Sequence, residues 1–227
     1  PLNGSKQLEE ELIQLVSKDS LQEINIPKSS EFVVNNRGQR LHVRSTFPDK
    51  QTKLRCIVFA LHGFSIHINN PVHKLFAREY NKRGIGYISL DFHGHGHSEG
   101  DRFRIDTYED LVDDCLSLIS AAYSPTEDTK NGKSDSKSKP LFSLNNRNDS
   151  VPYFIMAISM GGGTGLAAAL ELRFAKSFYA NNGSQAKLTN RRDDRIPHIT
   201  PKMADMFAGC VLVCPAIDLK DPGFVLS

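Results

Sequence analysis

Ser159 is the only serine in the run "PYFIMAISMGGGTGLAAALELRF", between an apolar hexapeptide and a tail rich in glycine and alanine. A serine becomes a useful nucleophile when a sharp turn lifts its hydroxyl clear of the backbone and donors stand ready for the oxyanion its attack creates. The neighbours of Ser159 are suited to both. Tyr153 to Ile158 reads as a short, buried parallel strand. Gly165 to Ala175 reads as a helix, with Leu166, Leu170 and Phe174 four apart along its buried stripe. Almost no chain is left for the connection. The residue at its tip must therefore take positive φ, and residues two positions away must be small. They are Ala157 and Gly161. This is the G-x-S-x-G nucleophile elbow with alanine at the first glycine. The start of the following helix adds free N–H groups and partial positive charge.

Two more segments carry polar groups on glycine-rich chain. "ALHGFS", Ala60 to Ser65, continues the apolar run Arg55 to Leu61. "LDFHGHGHSEG", Leu90 to Gly100, continues the run Gly86 to Asp91. In an open parallel sheet, ligands bind beyond the carboxyl ends of the strands. His62-Gly63-Phe64, Asp91 to Gly100, and Ser159 would then share one edge of one sheet.

The elements that must position them alternate. Glu9 to Lys18 has the pattern of a short amphipathic helix. Glu31 to Asn35 and Arg40 to Phe47 read as strands joined by a turn at Asn36-Arg37-Gly38. Pro71 to Arg83 reads as a helix with proline in its first turn and Gly84 just beyond its end. Thr107 to Tyr123 follows as a helix with an acidic start, and Ala208 to Cys214 as a further strand. Alternating strands and helices imply right-handed crossovers and a mostly parallel sheet with helices on both faces, edged by the opening antiparallel hairpin. Residues 124–150 and 181–200 are polar and charged, and are expected to be mobile surface insertions in a single domain spanning residues 1–227.

Composition excludes several classes. A net charge of +2 gives no electrostatic case for nucleic acid. Cys56, Cys115, Cys210 and Cys214 lie in apolar contexts without CxxC spacing, which suits buried thiols in a reducing compartment such as the cytoplasm. No apolar run approaches the length of a membrane span, and no signal peptide precedes the acidic start. His93, His95 and His97 alternate as zinc ligands would on a straight strand, but the glycines between them favour bending, and no metal is expected. Gly94, Gly96 and Gly100 do not have dinucleotide-cradle spacing.

Taken together, the motifs resemble the α/β-hydrolases, and within them the monoacylglycerol lipase and lysophospholipase group, also described as serine aminopeptidase-like. The resemblance rests on His62-Gly63-Phe64, on Asp91 to Gly100 in the pattern D-x-x-G-x-G-x-S-x-G, and on Ile158-Ser159-Met160-Gly161-Gly162. It implies that Ser159 is the nucleophile and that the backbone N–H groups of Phe64 and Met160 form the oxyanion hole. His62, Gly63, Asp91, Gly94, Gly96, Ser98 and Gly161 would support the loops. It further implies a serine hydrolase that needs no cofactor and cleaves a lipid-like ester through an acyl-enzyme. Peripheral membrane contact would be compatible with such a substrate.

In this fold the triad acid and histidine follow the serine in chain order. The only histidine after Ser159 is His198, which precedes the last strand, and Asp218 reads as a turn aspartate. The expectation is therefore an N-terminal portion of the fold, without the lid, the triad acid and histidine, or the last strands. The alternative function is a non-catalytic or truncated protein of this fold that binds a ligand or partner.

Overall fold

The computed structural model describes residues 31–123, 151–186, 188 and 199–215. The Glu9 to Lys18 helix, His198, Asp218 and the 124–150 insertion lie outside the described residues.

Six strands form one sheet: β1 (Glu31–Val34), β2 (Arg40–Thr46), β3 (Cys56–Leu61), β4 (Ile85–Leu90), β5 (Tyr153–Ile158) and β6 (Phe207–Val213). Their order across the sheet is β1-β2-β4-β3-β5-β6. The hairpin β1–β2 joins β4 antiparallel, whereas β4, β3, β5 and β6 run parallel. The carboxyl ends of β3, β4 and β5 therefore share one edge, as the sequence implied. The hairpin turn closes at Gly38, whose φ of 79° is costly for any other residue.

Helices cover both faces. On one face lies α1 (Pro71–Asn81), capped by the Asn70 side chain, which accepts from Val72 N–H at 3.0 Å. Its Ala77 packs with Val58, Ala60, Tyr87 and Met156. The other face carries α2 (Tyr108–Tyr123), α3 (Met160–Asn182) and α4 (Pro201–Met206). There Ile57, Phe59, Leu61, Ile88, Ile155 and Ala157 join Leu111, Cys115, Leu118 and Leu172 in the main core. Alternate residues of β3 and β5 feed opposite faces, as a doubly covered strand requires.

Two sequence expectations need correcting. The buried stripe of α3 is not Leu166, Leu170 and Phe174: Leu170 is 57% exposed and Phe174 43%. The buried side runs through Gly161, Gly165, Ala168, Leu172 and Ala175. A helix starting directly at the elbow lies so close to β5 that only small side chains fit between them. The 181–200 insertion is also narrower than expected. Residues 181–182 complete α3, Leu188 packs against the core, and Ile199 is buried. The short α4, with Thr200 as N-cap and Pro201 in its first turn, then leads into β6.

Candidate active site

The elbow begins where β5 ends. Ser159 is the N-cap of α3, with φ 54° and ψ −118°. Its own N–H is tied to Val213 O at 3.0 Å, and its carbonyl accepts from Gly162 N–H at 2.8 Å. The residue is exposed, and its hydroxyl makes no capping hydrogen bond. The positive φ that the tight turn required is present.

Small residues make this geometry possible. A Cβ on Gly161 would stand 2.5 Å from His62 O and 2.8 Å from Leu61 O. On Gly63 it would meet the Ser159 Cβ at 3.2 Å. The loop after β3 is thus pressed against the nucleophile candidate. Neither the Phe64 nor the Met160 N–H donates to a described residue. The Met160 group is one of the orphan donors at the start of α3. Two donors with no acceptor among the described residues, on the segments flanking Ser159, can take up negative charge developing on a carbonyl oxygen.

His62 holds the loop. It is fully buried, its Nδ1–H donates to Gly63 O at 2.7 Å, and its Nε2 accepts from Phe92 N–H at 3.0 Å. Burial pulls its pKa down to about 3, and its backbone acceptor on Gly63 only partly offsets this. With both nitrogens committed to backbone, it is a neutral bracket between the loops after β3 and β4.

Asp91 anchors the next loop. Its carboxylate accepts from Ile68 N–H at 2.8 Å, from His97 N–H at 3.0 Å and from His42 Nδ1 at 2.8 Å. Burial alone would raise its pKa, but these bonds, led by that of His42, outweigh it and hold the group below the usual carboxylate range. Gly96, at φ 50°, leaves the space that the carboxylate fills; a Cβ there would collide with Asp91. A Cβ on Gly94, at φ 70°, would collide with the carbonyl oxygen of Asp101. The Ser98 hydroxyl donates to Asp91 O at 2.5 Å and accepts from His42 N–H at 2.8 Å.

The histidine run is spread over separate partners. His93 Nδ1 bonds Asp114 at 2.7 Å, His95 Nδ1 bonds His93 O at 3.0 Å, and the His97 ring stands edge-on to His42. Among the described residues, no group of three or more His, Cys, Asp or Glu is arranged to hold a metal ion.

Sequence reasoning missed two features. One is the buried cluster in which Arg37 bonds Asp113 at 2.5 Å and Asp114 at 2.6 Å, tying the β1–β2 turn to α2 and, through Asp114, to His93. Its partners lie too far apart in the chain to be paired by pattern. The other is an aromatic group at the edge, where Phe64 and Phe103 flank His95 with ring centroids 5.6 Å and 5.3 Å from it. Both phenylalanines are more than 40% exposed. Phe103 has no motif to mark it.

The sheet order, the elbow and the two flanking loops define an α/β-hydrolase fold. Residues 52–132, roughly a third of the chain, match the family model described as serine aminopeptidase, S33. Solved structures similar to the chain include an esterase from Exiguobacterium antarcticum, at 18% identity over 63% of this chain and 40% of that one, TM-score 0.42. Est1E from Butyrivibrio proteoclasticus with ferulic acid bound is similar at 18% identity over 63% of this chain and 48% of that one, TM-score 0.46. The alpha/beta hydrolase domain-containing protein 10 from mouse is similar at 17% identity over 63% and 44%, TM-score 0.43. The chain thus spans about half the length or less of these three structures. No curated protein sequence matches it. No helix among the described residues is long and apolar enough to cross a membrane.

Proposed function

We propose that the protein is a serine hydrolase acting on a carboxylic ester, with a monoacylglycerol or lysophospholipid as substrate. The observation that carries this reading is Ser159, exposed at φ 54° between β5 and α3, with the N–H groups of Phe64 and Met160, which donate to no described residue, on the segments that flank it. In the proposed reaction the Ser159 hydroxyl oxygen attacks the ester carbonyl carbon while its proton passes to a base. The oxyanion is held by the two N–H groups. The C–O bond to the alcohol then breaks, the alcohol takes the proton, and water hydrolyses the acyl-enzyme. The base would come from outside the described residues. Phe64 and Phe103 offer an apolar wall beside the site, which favours an acyl chain over a polar substrate.

The test is a fluorophosphonate probe on the full-length protein, with the modified residue found by mass spectrometry. Labelling at Ser159, competed by a monoacylglycerol or lysophospholipid better than by a short-chain ester, is the expected result. Labelling elsewhere would end the Ser159 assignment; better competition by the short ester would end the lipid one. A second reading is a non-catalytic ligand binder of the same fold. It would show as lipid binding without labelling.

A further inference from the structure

On the α1 face, β2 and β4 present a square of polar residues. Arg44 lies opposite Ser89, and Thr46 opposite Tyr87. Above them α1 sets His73, Ala77 and Asn81 four residues apart on one side of the helix. Between strands and helix is a cleft of about 300 Å³, lined also by Ile68, Lys74 and Arg78. Lys74 and Arg78 have further contacts of their own. Among the described residues that line it there is no carboxylate.

The described residues include five buried side-chain atoms without a hydrogen-bond partner, and three of them line this cleft: Thr46 Oγ1, His73 Nε2 and Asn81 Oδ1. Leaving such a group unpaired is unfavourable, so three together call for an occupant. His73 is 2% exposed. The Tyr87 hydroxyl sits 2.6 Å from its Nδ1. Burial raises the pKa of Tyr87 and lowers that of His73 to about 4, so both are neutral near pH 7. With the phenol donating to Nδ1, the matching tautomer carries its hydrogen on Nε2. The Thr46 hydroxyl can donate as well, and half a turn of the Asn81 amide presents its N–H₂ group. Arg44 adds a fixed positive charge, steadied by Asn69 Oδ1 at 3.1 Å. Donors plus a cation, with no carboxylate, select an acceptor-rich anion.

We propose that this cleft binds a compact oxyanion, phosphate, either free or at the end of a small molecule, through the Arg44 guanidinium, the Thr46 hydroxyl and His73 Nε2–H. The volume exceeds that of phosphate alone and leaves room for a short organic group. The site is independent of the Ser159 chemistry.

Calorimetric titration and thermal melts of the full-length protein with inorganic phosphate and with glycerol 3-phosphate, against chloride at matched ionic strength, test it. Saturable binding and a rising melting temperature are expected. Tighter glycerol 3-phosphate binding would assign the anion to a small molecule, and equal affinity to free phosphate. Arg44→Gln should weaken binding at least about tenfold, the cost of one charged hydrogen bond. Thr46→Val should weaken it while the ligand-free protein melts no lower than the parent, because the substitution removes an unpaired hydroxyl. Ser159→Ala should leave binding unchanged, which separates this site from the hydrolase reading. No saturable heat or shift, as for a cleft filled by water alone, would overturn the proposal, and so would equal affinity in parent and both variants.

Discussion

A Cβ placed on Gly165 would stand 2.7 Å from the Cβ of Ala157. The two positions share one methyl's worth of space between β5 and α3, so the alanine at the first elbow position depends on a glycine eight residues later. Gly165→Ala should cost about 1–3 kcal/mol, as overpacking does. Combining it with Ala157→Gly should recover part of that loss, less what the Ile155 Cγ2 contact at 3.2 Å still takes. A double-mutant cycle by denaturant unfolding measures the coupling; simple additivity would show that the space is not shared.

Gly161 allows no such exchange, because its obstacles are the backbone carbonyls of Leu61 and His62. Gly161→Val should cost about 3 kcal/mol or more and remove ester hydrolysis, and Gly161→Ala should already lower the melting temperature. A Gly161→Val protein that melts like the parent would mean that the start of α3 and the end of β3 do not meet as described.

Ser159→Ala should abolish probe labelling and ester turnover with little change in stability. Ser159→Gly should raise the melting temperature, because φ 54° with ψ −118° suits glycine and costs other residues about 1–3 kcal/mol. Melts of both variants beside labelling gels separate strain from chemistry.

The elbow was legible because its requirements are local. Strand, small residues, serine and helix follow one another in fewer than thirty residues. The strands and the shared edge were legible for the same reason, through runs of apolar residues punctuated by glycine. The face of α3 was not. The spacing of Leu166, Leu170 and Phe174 marks large apolar residues, but the close approach to β5 selects for the absence of side chain, and Gly161, Gly165 and Ala168 carry no hydrophobic signal. The functions of His62 and Asp91 as loop supports followed from the family resemblance. Their partners, Phe92 N–H, Ile68 N–H and His42, are set by the folding of separate segments and could not be named from the sequence.

Asp91 should make stability depend on pH at the acid end. Its folded pKa is depressed below the ordinary 3.8. The stabilisation is therefore present above that value and is lost as pH falls through the folded pKa. Asp91→Asn should cost about 3 kcal/mol at pH 7, the loss of a buried, bonded charge, and flatten that part of the acid limb. Urea unfolding from pH 6 down to pH 2 is the measurement. An unchanged acid limb would remove Asp91 as its source.

Asp113 should act in the opposite sense. Burial, with Asp114 beside it, raises its pKa from 3.8 to about 6 in spite of Arg37. A raised carboxylate pKa means that the folded state binds the extra proton, so its contribution falls as pH climbs from 3.8 to about 6 and is level above that. Asp113→Asn should remove this slope, and the variant should gain on the parent across the interval. Parallel slopes in parent and variant would assign the titration to another group.

One carboxylate ties together His42 on β2, Ile68 after β3 and His97 after β4. These residues are far apart along the chain, so the knot cannot close until the strands that carry them have found their neighbours. During refolding, the central sheet must form before the loops beside Ser159 can settle. Reactivity would then return as the last phase, after the spectroscopic signals of the sheet are complete, and synthesis of the chain through β4 would have to precede any organised site.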